Sequence, residues 1–181
     1  MKKDLGSVLA LYPTPLVVVG AYVNGNPNWV LVGHIGIIGH DRIMVSLAKP
    51  HYTNKGIREN KLLSVNIVDE ALLANADYVG CVSGNNTDKS EVFELQVGKS
   101  GAPLIANSPL VMECKVVDVY ETSGFESFIC SIEHTYAEEG ILNGQGKIDY
   151  HKLKPVLFEM PTYEYLVTGE MLGKCMSFGK K

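Results

Sequence analysis

The run Leu16-Val17-Val18-Val19-Gly20-Ala21 commits this chain to β-structure before anything else in it is weighed. Successive β-branched residues lose rotamer freedom in a helix and pack well on a pleated surface. The run stops at Asn24-Gly25-Asn26-Pro27, and Trp29-Val30-Leu31-Val32 follows, a spacing that predicts an antiparallel hairpin. Further strands are expected at Ile43–Leu47, Leu63–Ile67, Leu110–Val119 and Phe125–His134, with Lys154–Phe158 as the final one. Two short helices interrupt them: Thr53 to about Asn60, with Thr53 as a plausible cap, and Ala71–Val82, which runs into the polar turn Ser83–Thr87. Ile141–Gly146 reads as a Gly-rich loop. Short strands at frequent turns favour a mainly β fold, a closed or partly closed barrel, over a doubly wound sheet with its regular alternation of helix and strand.

The 181 residues, 46% hydrophobic, suffice for one core, so a single domain over 1–181 is expected. Sixteen basic against 20 acidic residues give a net charge of −4, which leaves no electrostatic footprint for nucleic acid or an anionic membrane. The N-terminal residues lack the apolar stretch of a signal peptide, and no apolar run approaches the roughly 20 residues of a membrane-spanning helix, so a cytoplasmic protein is expected. Cys81, Cys114, Cys130 and Cys175 form no C-x-x-C pair and read as buried thiols in a reducing compartment. The five histidines include no i, i+4 pair, so no metal site is expected and each reads as a surface or core residue. Nucleophile elbows, Walker loops and dinucleotide fingerprints are also missing.

Two segments favour a phosphate. Lys49-Pro50-His51-Tyr52-Thr53 leaves a strand and enters a helix, where free backbone N–H groups and the positive end of the helix dipole can hold an anion beside the Thr53 hydroxyl. Ser83-Gly84-Asn85-Asn86-Thr87-Asp88-Lys89 offers small polar turn residues and one lysine. Each has a plainer reading: Thr53 as a helix cap only, Lys89 as a solvated surface charge.

Taken in order, several blocks resemble the flavin reductase-like domain family, most closely its flavoredoxin branch. They are Pro13-Thr14-Pro15, Asn26-Pro27-Asn28-Trp29, Met44-Val45-Ser46-Leu47 with Tyr52-Thr53, Val65-Asn66-Ile67, Ser83-Gly84 with Asp88-Lys89, and Ala102-Pro103-Leu104-Ile105. The likeness continues through Glu113-Cys114 and Lys147-Ile148-Asp149 to the tail and covers nearly the whole chain. It implies an FMN-binding split β-barrel, a homodimer with the flavin near the subunit interface, and non-covalent FMN with NAD(P)H as electron donor. Within that resemblance, Asn28, Trp29, Val30, Leu31, Val32 and His34 would line the flavin ring, largely with backbone groups. Ser46, Leu47 and Ala48 would meet the ring and ribityl chain, and Tyr52, Thr53, Ser83 and Lys89 would surround the phosphate. No catalytic side chain is implied, because the chemistry sits on the flavin.

Two departures bear on activity. Leu31 stands where the family commonly has Thr, which removes one side-chain hydrogen bond to flavin. Gly124-Phe125-Glu126 stands where many relatives carry a Gly-Asp-His whose His faces the nicotinamide. Two functions are therefore carried forward: a reductase that moves electrons from NAD(P)H to a flavin or protein, and an FMN electron carrier reduced by a protein donor. His34 is read equally as a packing residue or a tuner of the flavin.

Overall fold

The hairpin is present and longer than its apolar centres. In the computed structural model, which describes residues 1–179, β1 (Thr14–Pro15) leads into β2 (Val17–Val23) and β3 (Asn26–Val32). Asn24 and Gly25 both take positive φ, 52° and 84°. That is the type I′ pattern, whose twist matches the strands it joins. With Val23 opposite Asn26 closing the turn, the ladder alternates so that Pro27, which has no N–H to give, faces Tyr22 at a non-bonded position. The same alternation turns the N–H and C=O groups of Trp29 and Leu31 away from β2.

Next come β4 (Ile35–Ile37), β5 (Arg42–Ala48), α1 (Thr53–Asn60), β6 (Leu62–Ile67) and α2 (Leu73–Cys81). They are followed by β7 (Leu95–Val97), β8 (Pro103–Ile105), β9 (Leu110–Glu121), β10 (Phe125–Ala137), α3 (Tyr150–Leu153), β11 (Leu157–Glu159) and β12 (Glu164–Leu166). Seven strands form one antiparallel sheet in the order β3-β2-β6-β9-β10-β5-β4, which curls into a half-barrel of the split-barrel type. β3 is an edge strand of this sheet, so the outward groups of Trp29 and Leu31 have no ladder partner there.

The valine run reflects burial on both faces of β2. Val17 and Val19 enter a core inside the curl, with Val45, Leu63, Val65 and Phe128. Val18 enters a second core beneath α2, with Trp29, Val79 and Phe93. A strand covered on both faces reads as continuous rather than alternating apolar sequence.

Several expectations change. Lys154–Phe158 contracts to β11 and is not the last strand, because β12 pairs with it in a small sheet that also takes in β1. The third helix, α3, is four residues long, too short for a helical period to show; Asp149 caps it by accepting from the His151 N–H. Only Cys114 and Cys130 are buried, whereas Cys81 and Cys175 are exposed, and all four are free thiols. No helix among the described residues is long and apolar enough to cross a membrane.

α1 is clamped against the sheet. An added Cβ at Gly56 would overlap the Tyr22 carbonyl oxygen, so glycine there lets the helix lie directly on β2. Farther along, Arg58 makes a two-pronged contact with Glu126, Nε at 3.1 Å and Nη2 at 2.6 Å, and its Nη2 also meets Glu121 at 2.8 Å. This fixes the helix start beside the open edge of β3.

Candidate functional site

A groove runs along the open edge of β3 in two connected chambers, which share Leu31 and His51 as walls. The first, about 240 Å³, has Val32, His34, Ser46, Leu47 and Ala48 on its sides. Phe125, Phe158 and Met160 complete it from distant parts of the chain. The second, about 200 Å³, lies between β3, the start of α1 and the end of α2, and brings Val30, Tyr52, Thr53, Ser83 and Lys89 together. Asn28 is buried behind Thr53.

Trp29 differs from its neighbours on the same strand. Its indole is fully buried and packs edge-on against Phe93, with ring centroids 5.6 Å apart, so only its backbone can face the groove. Gly20, opposite it on β2, leaves no room for a Cβ beside the indole.

Thr53 does not cap α1. The cap position is Tyr52, whose dihedrals are already helical and which makes no side-chain capping bond. Thr53 Oγ1 instead accepts from Asn28 Nδ2 at 2.8 Å. With that acceptor position used, the hydroxyl proton is free to donate into the chamber. The Asn54 and Lys55 N–H groups turn back to the His51 and Tyr52 carbonyls, which leaves the Tyr52 and Thr53 N–H groups without a backbone acceptor among the described residues. Across the chamber, Gly84 packs so closely that a Cβ would come within 2.5 Å of Asn28 Oδ1 and 2.6 Å of Tyr52 Cδ1. The Ser83 turn is thereby pressed against the start of α1.

Lys89 is the decisive residue. It is only 3% exposed, not a solvated surface charge. Its Nζ donates to the Val79 and Val82 carbonyls at 3.1 and 3.2 Å, at the end of α2. No carboxylate pairs with it among the described residues. Burial lowers its pKa to about 8. His51, on the opposite wall, is also held below its ordinary value, first by burial and then by repulsion from Lys89. A buried ammonium with no counter-charge among the described residues, beside an imidazole whose charged form it disfavours, forms a chamber that an anion would relieve.

At the other end, His34 Nε2 lies 2.9 Å from the Tyr12 hydroxyl, which donates to Met160 S at 3.2 Å. The Tyr12 hydroxyl thus ties His34 to Met160 across this end of the groove. Ser46 Oγ is paired with Ser127 Oγ at 2.9 Å. Glu126, on β10 beside the groove, is 7% exposed and tied to Arg58 and Asn54, so its carboxylate is engaged within the protein.

Sequence reasoning left out His51, Phe158 and Met160. His51 stands inside the phosphate-favouring segment Lys49–Thr53 but has no role of its own in that reading. Phe158 and Met160 lie more than 100 residues from the β3 and β5 residues they meet in the groove, and nothing local marks them. A larger hollow of about 720 Å³ lies elsewhere, between Asp69–Ala71, His151–Lys154 and Val167–Gly169. Its carboxylates and lysines are of opposing sign, and Asp69 and Lys152 are engaged by Leu72 N–H and Leu142 C=O.

Residues 9–159 match the family described as flavin reductase like domain. The fold superposes on a flavoredoxin from Methanosarcina acetivorans with a TM-score of 0.94 at 34% identity, covering 99% of this chain and 98% of that one. A flavoredoxin of Desulfovibrio vulgaris (Miyazaki F) gives 0.91 at 35% identity, covering 99% and 100%. An uncharacterized protein of Aeropyrum pernix is 26% identical over an alignment of 121 residues that covers 61% of this chain but only 43% of that relative's length.

Proposed function

The chain belongs to the flavin reductase-like domain family, and from that premise we propose that it is an oxidoreductase that binds FMN non-covalently and passes electrons through it to a flavin or protein acceptor. The observation that carries the reading is the buried Lys89, without a carboxylate partner among the described residues, at the end of a groove whose other half is apolar and aromatic. FMN has that polarity: a dianionic phosphate at one end and a flat apolar ring at the other. Lys89, the Thr53 hydroxyl, the Tyr52 and Thr53 N–H groups and the Ser83 turn would hold the phosphate. The open edge of β3 would offer the Trp29 and Leu31 backbone to the ring edge, while Ser46-Leu47-Ala48 supports the ring and ribityl chain. When bound, FMN supplies the hydride and electron chemistry, and the protein orients it and controls access.

A second reading, an electron carrier reduced by a protein donor, is favoured by one feature. The strand position that carries a nicotinamide-facing His in many relatives holds Glu126 here, locked to Arg58. One experiment separates the two: FMN-loaded protein is mixed anaerobically with NADH or NADPH and flavin absorbance near 450 nm is followed. Bleaching on the millisecond-to-second scale makes the protein a reductase. A flavin that stays yellow for minutes with both nucleotides, yet bleaches with a reduced ferredoxin-type protein, makes it a carrier. Protein that takes up no flavin at all ends both readings.

A homodimer fits the exposed apolar residues. Ile37 and Ile38 are 87% and 49% exposed at the β4 edge of the sheet, and Leu5, Val8, Leu9 and Leu11 are exposed along the segment before β1. Apolar exposure of this extent marks association surfaces. The protein is expected to run as a dimer in light scattering at micromolar concentration, and Ile37→Lys is expected to shift it toward monomer.

A further inference from the structure

The turn between β5 and α1 sets one titratable side chain at the junction of the two chambers. His51 is a wall of both. Its backbone is fixed, with the N–H donating to the Ala48 carbonyl at 3.0 Å and the carbonyl accepting the Asn54 N–H at 3.1 Å. No side-chain hydrogen bond engages the imidazole among the described residues, and it remains open to solvent. The phosphate chamber brings Lys89, Tyr52 and Cys81 around it, and the ring chamber brings His34. No carboxylate lines either chamber. The charges on neighbouring elements are already engaged: Lys49 with Glu121, Arg58 with Glu126, Lys55 with Asn24 and Asp88 with the Ser90 N–H. Lys89 is the charge that acts on His51, and its sign is the same as that of imidazolium.

We propose that His51 couples flavin capture to a proton: it is neutral in the empty groove and is protonated as the phosphate enters, so that the chain holds FMN more tightly as pH falls below neutrality. This deepens, and rests on, the flavin reading above. In the empty groove burial and then Lys89 disfavour imidazolium. A dianion placed in the same chamber of about 200 Å³ reverses the local field, and an opposite charge at that range favours the protonated ring. A group that gains a proton on binding makes affinity rise as pH falls through the interval between its free and bound values. Lys89 gives no such dependence near pH 7, because with a pKa of about 8 it is mostly protonated there already. The FMN phosphate, whose second pKa is about 6, is mostly dianionic at that pH and can only release protons on binding as a dianion. Net uptake near pH 7 therefore belongs to His51.

The test is calorimetry of apoprotein with FMN and with riboflavin at about pH 7, each in two buffers of different ionisation enthalpy, which counts the protons exchanged per flavin bound. FMN should bring roughly half a proton with it and riboflavin none. His51→Gln should cut the uptake with FMN to near zero, weaken FMN about threefold at about pH 6.5, match the parent at about pH 8 and leave riboflavin unchanged. Because the imidazole is open to solvent and unbonded, the variant should melt like the parent. His51→Asn gives the same reading if it does not, and the proton count in the parent needs no variant. FMN binding without proton uptake overturns the proposal, as does an uptake that riboflavin shares or that survives His51→Gln. If neither flavin binds folded protein, the flavin reading falls and the proposal with it, a result distinct from FMN binding with no proton.

Discussion

Replacing Lys89 with Met is expected to weaken FMN binding about 100-fold and to leave riboflavin within about twofold of the parent, because only FMN carries the phosphate. Met keeps the apolar stem, so the variant removes the charge without opening a cavity. A lysine that is 3% exposed and has no carboxylate partner among the described residues costs the empty protein free energy, so the apoprotein variant should melt at or above the parent temperature. The pH dependence follows from the lowered pKa of about 8. The unfolded lysine titrates near 10.4 and therefore binds more protons than the folded one between about pH 8 and pH 10, so apoprotein stability contributed by this group rises with pH across that window. FMN affinity moves the opposite way, falling above about pH 8 as the cation that meets the phosphate is lost. The measurement is a pair of titrations, FMN and riboflavin, from pH 7 to 9.5 in both proteins. Equal weakening of the two ligands by Lys89→Met, or a flat FMN profile in the parent, would remove Lys89 from the phosphate site.

The sequence discloses local features and conceals convergent ones. The hairpin was legible because a β-branched run and Asn24-Gly25 are short-range signals, and α1 and α2 because the turns that bound them lie within a few residues, although neither helix carries the side-chain cap the sequence suggested for α1. What Lys89 does was not legible. A lysine in a polar turn is solvated by default, and only the packing of that turn against α2 and the β3 edge buries it. Thr53 shows the converse: its place at a helix start was readable, but its bond to Asn28, 25 residues earlier, diverts the hydroxyl from capping. The aromatic end of the groove is assembled from β10 and the segment around β11, so no window of sequence contains it.

Glu113→Leu is expected to destabilise the protein by about 3–5 kcal/mol and to leave the ratio of FMN to riboflavin affinity unchanged. Glu113 is fully buried on β9 and forms no ion pair among the described residues, with His134 opposite it on β10. Burial alone would raise its pKa, but Oε1 accepts the Ser100 and Ala102 N–H groups at 2.9 and 3.0 Å and Oε2 accepts the Tyr136 hydroxyl at 3.0 Å. These bonds outweigh burial and hold the pKa below the ordinary carboxylate value. Leucine matches the volume but orphans all three donors; Gln keeps an acceptor oxygen and should cost roughly half as much. Because the folded pKa is depressed, the carboxylate's contribution is present above the unfolded value near 4.3 and is lost as pH falls through the folded one, so the parent's advantage over Glu113→Gln in urea melts should shrink on acidification below about pH 4. The loop Glu113 ties down enters β8, whose Ile105 packs with Trp29 and Val79 behind the phosphate chamber. Its loss therefore weakens the scaffold of the site without touching the charge that selects the ligand, whereas Lys89→Met changes selection and spares the scaffold. If Glu113→Leu altered FMN against riboflavin as Lys89→Met does, the discrimination would lie in the fold as a whole and not in one buried cation.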